Sequence, residues 1–324
     1  MVDDPIVSVV VPAYNAAATI GATLLALRGQ DLDGPYEVIV VDDGSSDGTR
    51  TVVSAAGEGV QLVRQAHEGP AAARNHGVRV ARAPLIAFTD SDCVPEPGWL
   101  RAGVDALGNS DLVQGRVLPD PAGAAEPFGR TIIVRREYGL YQAANLFVRR
   151  ELFERLGGFE DWLRVSIGKP LAEDVWFGWS ARRAGARTAF SDAATVRHAV
   201  FPRGAGAYAL ERLRLVYFPA MVARMPELRE VFLYRRWFLT RRTAALDLAL
   251  GAAAGALATR RAGMSRRAAV LPLVAAIPYA RELIVSARRG GRPVPIVVAA
   301  DLLADATGLA ALAVGSLRAL TPVL

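Results

Sequence analysis

The sequence is poor in the residues that build covalent or soft-metal scaffolds. It has one cysteine, Cys93, and three histidines, His67, His76 and His198, in 324 residues. A lone cysteine excludes an internal disulfide and a cysteine-rich zinc site. Three histidines leave little room for a histidine-rich metal cluster. Aromatic residues make up 7% and lysine occurs once, at position 169. The opening MVDDPIVSVVVP has no basic start followed by a long apolar core, so a secretory leader is not expected and the N-terminal part is expected to stay in the cytosol. No G-x-G-x-x-G follows the first apolar run, where the sequence reads Pro12-Ala13-Tyr14-Asn15-Ala16-Ala17. That turn argues against a dinucleotide-dependent oxidoreductase. Internal repeats and recognisable nucleic-acid modules are also missing, which argues against a nucleic-acid binder.

What is present is a chain with a hydrophobic content of 52%, a charged content of 22% and a formal net charge of +6. Such a composition excludes a disordered or collagen-like chain and can bury a core of normal size. The charge is uneven. Residues 203–324 hold 18 of the 38 basic residues and 7 of the 32 acidic ones. A basic C-terminal third beside long apolar runs points to an anionic membrane surface rather than to nucleic acid.

Up to about residue 90 the pattern alternates. Strands are expected at 6–11, 36–41, 60–64 and 84–89, where β-branched residues run almost unbroken. Helices are expected at 17–29, 48–56 (capped by Ser46 or Asp47) and 69–82. Strands at 112–117 and 130–135 follow. Then come a strand running into a helix over 145–156, closed by Gly157-Gly158, a helix over 173–184, and a strand pair at 187–190 and 194–198. Buried strands separated by helices imply a mostly parallel sheet covered on both faces, with ligands outside the carboxyl ends of its strands. Two acidic clusters fall at such ends, Asp42-Asp43 and Asp90-Ser91-Asp92. Carboxylates two apart on a loop suit a hard divalent cation that also takes phosphate oxygens.

Four stretches occur in order: VSVVVPAYNAAATI, EVIVVDDGSSDGT, GPAAARNHGV and LIAFTDSDC. Together they resemble glycosyltransferase family 2, over about residues 6–200. The resemblance implies a GT-A fold and an inverting transfer of a sugar from a nucleotide diphosphate donor to an acceptor hydroxyl. It implies that Pro12, Ala13 and Tyr14 line the base and ribose, that Asp42 or Asp43 holds the base or ribose, and that Arg74 lies near the base or diphosphate. Asp90 would lie near the ribose and the metal. Asp92 would ligate Mg²⁺ or Mn²⁺, with His198 as a third ligand or diphosphate contact. The stretch LAEDVWFGWSARRAG resembles the family's acceptor motif. It implies Asp174 as the base that deprotonates the acceptor, with Glu173 as backup or orienting neighbour. Asn145, Phe147 and Trp176 fall where the donor sugar or acceptor is lined. Gly157-Gly158-Phe159 is read as a structural turn, His67 and His76 as surface or supporting residues, and Cys93 as a small filler.

The organisation expected is a catalytic domain over 1–202, aromatic and arginine-rich connecting helices over 203–242, and an apolar helical extension over 243–324. Its apolar stretches at 243–258, 268–287 and 294–317 are interrupted by Asp247, by Pro272, Pro278, Arg281 and Glu282, and by Asp301 and Asp305. Charges at mid-bilayer are expensive. Interfacial helices, true spans and a soluble dimer interface therefore all remain open. Arg235, Arg236, Arg241 and Arg242 are read as lipid-headgroup contacts. The enzyme is expected at the cytoplasmic face of the membrane, acting on a lipid-linked or cell-envelope glycan. A soluble transferase acting on a small-molecule or protein acceptor, with the tail making a homodimer, is the alternative. A non-catalytic nucleotide-sugar binder is a further one.

Overall fold

The structure is a computed structural model that describes residues 4–123, 128–163, 165–166, 171–261, 270–288 and 293–324. The chain divides into two compact units. The first comprises Met1–Ala124, Thr131–Val165 and Lys169–Phe201, and the second Ala125–Arg130, Ser166–Gly168 and Pro202–Leu324.

The first unit is built on one eight-stranded sheet. Its strands are β1 (Val7–Ala13), β2 (Tyr36–Asp42), β3 (Val60–Arg64), β4 (Leu85–Thr89), β5 (Cys93–Pro95), β6 (Leu112–Pro119), β7 (Asn145–Arg149) and β8 (Thr188–His198). They lie in the order β3-β2-β1-β4-β7-β6-β8-β5. The first four strands pair in parallel, as their unbroken apolar runs require. At β4 the sheet changes character, because β7 runs antiparallel to it. The far half is mixed, with β6 antiparallel to β7, β8 parallel to β6, and β5 antiparallel to β8.

Six helices flank the sheet: α1 (Ile20–Arg28), α2 (Thr49–Ala55), α3 (Pro70–Val80), α4 (Trp99–Gly108), α5 (Arg150–Arg155) and α6 (Glu173–Arg183). Gly48 holds the cap position of α2, and Asp47 one residue earlier accepts the Thr49 N–H at 3.0 Å. α3 begins with Pro70, whose fixed φ suits a first helical turn. Its Gly77 sits against β1, where a Cβ would come within 2.3 Å of Val10 Cγ1, so only glycine permits that approach. The core joins β1, β2, α1 and the buried faces of Trp99, Leu100 and Phe147.

Three expectations are corrected. Residues 130–135 form no strand: Val134 makes an isolated bridge to Val117 and no continuous ladder runs through the segment. The pair expected at 187–190 and 194–198 is one strand, β8, whose register against β6 jumps between Gly115 and Arg116. The irregularity there is what the sequence shows as a break. β5 and α4 were not anticipated, since Cys93–Pro95 is too short and proline-marked to show periodicity.

The second unit is helical. After α7 (Ala205–Leu210), a 3₁₀ segment (Glu211–Tyr217), α8 (Phe218–Arg224) and α9 (Leu228–Val231) come three long helices: α10 (Arg241–Arg261), α11 (Val270–Ala287) and α12 (Val294–Ala319). The expected stretch at 268–287 begins at residues outside the described ones. α11 and α12 are long and apolar enough to cross a bilayer, with window hydropathies of 1.5 and 1.8. Much of their apolar surface faces outward: Leu273 is 71% and Leu317 77% exposed.

The acids of α12 face inward, while Glu282 of α11 is exposed. Asp301 is buried, and its carboxylate accepts from Tyr208 Oη at 2.9 Å and from Arg242 Nη1 at 3.1 Å. Asp305 accepts from Arg242 Nε and from Tyr279 Oη, both at 2.7 Å. Arg242 is therefore not a headgroup contact, because its guanidinium is held between two carboxylates of α12. Of the other three arginines, Arg235 and Arg241 lie over the Tyr234 ring and Arg236 pairs with Glu230.

Candidate active site

The parallel half of the sheet aims the carboxyl ends of β1, β2 and β4 at one edge. That edge is where strand direction changes, the usual location of ligands in such sheets. Tyr14, Asp42, Asp43, Asp90 and Asp92 all lie at or just beyond these ends.

Beyond β1, Pro12 and Ala13 are buried and Ala13 belongs to the core. Tyr14 is the residue of the three that presents its side chain, at 49% exposure. Its ring stacks on His67 at 4.0 Å between centroids and 27° between planes. His67, read from the sequence as a surface or supporting residue, thus forms an aromatic pair at the strand end. Its Nδ1 lies 2.9 Å from Asp43 Oδ2.

Asp43 is buried and binds the segment after β3. It accepts from Gln65 Nε2 at 2.8 Å, from Glu68 N at 2.9 Å and from Gly69 N at 2.9 Å, besides His67. A carboxylate offers about four acceptor positions, so Asp43 is occupied in shaping the loop that leads into α3. Asp42 is less engaged. Ser45 N donates to it at 3.1 Å and Arg50 Nε stands 3.7 Å away.

Arg74, expected near the base or diphosphate, is instead buried inside the site. Nη2 donates to Asp90 Oδ1 at 2.6 Å and Nη1 to Glu173 Oε1 at 3.4 Å, while Nε is buried with no hydrogen-bond partner among the described residues. Burial works against its charge, but Asp90, Glu173 and Asp174 outweigh that and hold its pKa above the ordinary value. Arg74 thereby ties the end of β4 to the start of α6. Glu173 is buried and serves that tie, in keeping with an orienting neighbour.

Asp174 is the second residue of α6, which starts directly after Ala172, whose φ of +77° is a left-handed conformation that turns the chain sharply into the helix. Oδ1 accepts from Val175 N at 2.8 Å and Oδ2 from Ala143 N at 3.1 Å. Burial and the adjacent Glu173 carboxylate nevertheless push its pKa up to about 7, against the lowering effect of Arg74 and the two amides. A carboxylate poised near neutrality is suited to receiving a proton. Trp176, two residues further on, donates Nε1–H to Glu160 at 2.9 Å and stays partly exposed.

Asp92 and His198 meet across β5 and β8. Cys93 pairs with His198 in the ladder, and Ala199 N donates to Asp92 O at 2.8 Å. His198 is buried. Its Nδ1 lies 2.7 Å from Ala199 O, so that nitrogen carries the proton and donates. Nε2 then keeps its lone pair, 3.6 Å from Asp92 Oδ1. Two electron-rich atoms facing each other suit a bridging cation. The donor set of carboxylate and imidazole, oriented by a backbone carbonyl, fits a divalent ion. Cys93 Sγ is close enough to join that group, since the three ligand atoms lie within 4.8 Å of one another. Burial and the neighbouring aspartates push its thiol well above the usual range, and a soft sulfur is a poor ligand for a hard cation.

Two expected sugar contacts are not in the site. Asn145 is fully buried, where Oδ1 accepts from Trp99 Nε1 and Nδ2 donates to Arg116 O and Ala194 O, each at 2.8 Å. It joins β7 to β6 and β8. Phe147 is a core ring packed 4.9 Å from Trp99. Gly157 and Gly158, at φ +82° and +75°, turn the chain, and Phe159 enters an aromatic cluster with Phe88, Phe153 and Phe177.

Comparison with known proteins agrees with this arrangement. The Glycosyl transferase family 2 profile matches residues 8–159. Glycosyltransferase AglE of Haloferax volcanii is 34% identical over 174 residues, 49% of this chain and 57% of that protein. Succinoglycan biosynthesis protein ExoU of Rhizobium meliloti is 34% identical over 128 residues, 38% of this chain and 37% of that protein. The match thus spans little more than half of one relative and about a third of the other. Mannosyltransferase PcManGT from Pyrobaculum calidifontis, solved in complex with GDP-Man and Mn²⁺, superposes with a TM-score of 0.57 at 22% identity, covering 98% of this chain and 88% of that one. That likeness is one of fold, the GT-A fold. Over residues 8–159, a little under half of its length, the chain is similar to glycosyl transferase family 2.

Proposed function

We propose that this chain is an inverting glycosyltransferase that moves a sugar from a nucleoside-diphosphate donor to an acceptor hydroxyl. The observation that carries the reading is the pairing of two functions at one strand edge. Asp92 and His198 form a cation-holding pair, and Asp174 is a carboxylate raised to about 7. The similarity to family 2 and the fold neighbour's GDP-Man and Mn²⁺ support it.

In this reading the Tyr14–His67 pair meets the nucleobase and Asp42 the ribose or base. Arg74 keeps Asp90 and α6 in register. Asp174 accepts the acceptor hydroxyl's proton as that oxygen bonds to the sugar's anomeric carbon. The bond from that carbon to the diphosphate oxygen breaks, and the nucleoside diphosphate leaves with the electron pair. Mg²⁺ or Mn²⁺ held by Asp92 and His198, with Asp90 nearby, would supply positive charge to the departing diphosphate. The imidazole donor favours Mn²⁺, since Mg²⁺ prefers oxygen ligands.

The acceptor is proposed to be lipid-linked or part of an envelope glycan, reached at the cytoplasmic face of the membrane. The outward apolar faces of α11 and α12 support this, as does the name of ExoU, given for succinoglycan biosynthesis. Asp301 and Asp305 count less against lipid contact, because Arg242 offsets one of their two charges and Tyr208 and Tyr279 donate hydrogen bonds to them inside the helical unit.

The test is a thermal-shift panel of UDP, GDP, TDP and CDP with Mn²⁺, Mg²⁺ or EDTA. Ligand at about 100 times its dissociation constant adds roughly 2.7 kcal/mol. One nucleotide should stabilise the protein only with metal, and His198→Ala should weaken the metal requirement about 10–100-fold. A nucleotide shift identical in EDTA would overturn the metal role. No shift with any nucleotide would overturn the transferase reading and the nucleotide-sugar-binding alternative together.

A further inference from the structure

The helical unit contains a cavity of about 300 Å³ that the transfer reaction does not use. Its charged lining consists of Arg212, Arg241, Arg242, Asp247, Glu282 and Asp305. Leu215, Leu246, Leu309 and Leu312 supply apolar wall. The arginine-rich sequence suggests a site for an anion, but the internal pairing points elsewhere. Arg242 is held by Asp301 and Asp305. Arg212 lies over the Tyr208 ring at 5.3 Å and donates to its hydroxyl at 3.3 Å. Thr240 and Thr243 cap each other's amides at the start of α10.

Three charges remain for a ligand. Asp247 Oδ2 is sealed from solvent with no hydrogen-bond partner among the described residues. A buried carboxylate oxygen without a donor is costly. Glu282 brings a second acid to the cavity from α11. Arg241, whose guanidinium lies 5.6 Å from the Tyr234 ring, makes no ion pair with a carboxylate among the described residues. The site therefore asks for a hydrogen-bond-donating cation beside the acids and an anion beside Arg241, within one small molecule or headgroup.

We propose that this cavity binds the headgroup of a zwitterionic aminophospholipid, its primary ammonium on Asp247 and Glu282 and its phosphate on Arg241. The lipid source is argued from the same helices, which expose Leu248 and Leu250 on α10, Leu273 and Ile277 on α11, and Leu302 and Leu303 on α12. Acyl chains leaving the cavity would meet those faces. The inference rests on the reading that the helical unit meets lipid, and it is independent of sugar transfer.

The full chain in non-ionic detergent would be exposed to dihexanoyl phosphatidylethanolamine, phosphatidylcholine and phosphatidylglycerol, and to free O-phosphoethanolamine. Retained lipid is read by native mass spectrometry and stability by the unfolding midpoint. Phosphatidylethanolamine should be retained about tenfold over phosphatidylcholine, whose quaternary ammonium donates no hydrogen bond. Asp247→Asn should bring the two to parity. Arg241→Gln should weaken O-phosphoethanolamine while sparing ethanolamine, which keeps the test alive if the first variant folds poorly. Equal retention of all three lipids, or an unchanged preference in Asp247→Asn, overturns the assignment. Preference for phosphatidylglycerol overturns it in favour of an arginine-led anionic site. Binding of O-phosphoethanolamine without retention of the lipid keeps the headgroup chemistry and overturns the lipid source. Lipid retention without any nucleotide-dependent shift would separate this site from the transferase reading.

Discussion

Replacing Asp174 by Asn tests the base assignment through two independent signs. The native carboxyl is raised from 3.8 to about 7 by burial and by Glu173. Between those values the folded protein binds a proton that the unfolded chain has released, so stability falls as pH rises from about 4 to about 7. At about 1.4 kcal/mol per pKa unit, the rise of some three units sets a ceiling near 4 kcal/mol. The side chain keeps some solvent access, which screens the penalty to roughly 2 kcal/mol. Asn removes that penalty. It also replaces one acceptor oxygen by a donor facing either Val175 N or Ala143 N, at a cost of about 1 kcal/mol. The variant should therefore be about 1 kcal/mol less stable than the parent at pH 4 and about 1 kcal/mol more stable at pH 8. Thermal unfolding across pH reads the crossing, at about 2–4 °C per kcal/mol. Transfer should fall by about 10²–10⁴-fold, while native activity should climb with pH through about 7 as the carboxyl ionises. A stability difference of the same sign and size at both pH values would show an ordinary carboxylate. Near-native transfer by the variant would remove Asp174 from the reaction.

Asn145→Ala should cost about 2–5 kcal/mol, because it orphans the Trp99 indole N–H and two strand carbonyls at once. Nucleotide affinity measured below its lowered midpoint should be unchanged, and a weakened sugar or nucleotide affinity there would return Asn145 to the site. Arg242→Leu leaves Asp301 and Asp305 buried side by side without their counter-ion, a loss of about 3–5 kcal/mol. Asp301→Asn combined with Asp305→Asn in that background should restore most of it, as a melting series would show. Failure of the double substitution to rescue would mean the arginine acts by packing alone.

The parallel half of the sheet was legible because its strands are buried on both faces, and Val9–Val11 and Val38–Val41 have no polar interruption to mislead. The acidic strand ends were legible for the same reason: a carboxylate that closes such a run stands out. What the sequence hides is the partner of each side chain. Asn145 and Asp174 look alike on paper, each a polar residue at the start of an element. One is enclosed by Trp99 and two carbonyls from other strands, and the other faces Arg74 and Glu173 across the site. These neighbours come from positions 29–49 residues away for Asn145 and 100 residues away for Arg74, so no local pattern could report them. His67 was missed on the same ground, since its stack on Tyr14 joins the loops after β1 and β3, which are neighbours only because β2 pairs with both strands.

The helical unit shows how the same blindness can reverse a conclusion. Read along the chain, Asp301 and Asp305 interrupt an apolar run, and Arg242 belongs to a basic cluster that suggests phosphate headgroups. In three dimensions those charges meet one another, with Tyr208 and Tyr279 completing the set. The acids of α12 are paired inside the unit and many leucines are left outside, with Leu317 and Leu320 at 77% and 89% exposure, while Arg281 and Glu282 of α11 stay at the surface. Water does not favour that polarity, because each exposed leucine forgoes the gain of burial. It is the polarity expected of helices that meet hydrocarbon, where charges are admitted only when paired within the protein. The arginine content that first argued for an anionic surface thus turns out to stabilise the inside of the helical unit. The argument for lipid passes from the charges to the leucines.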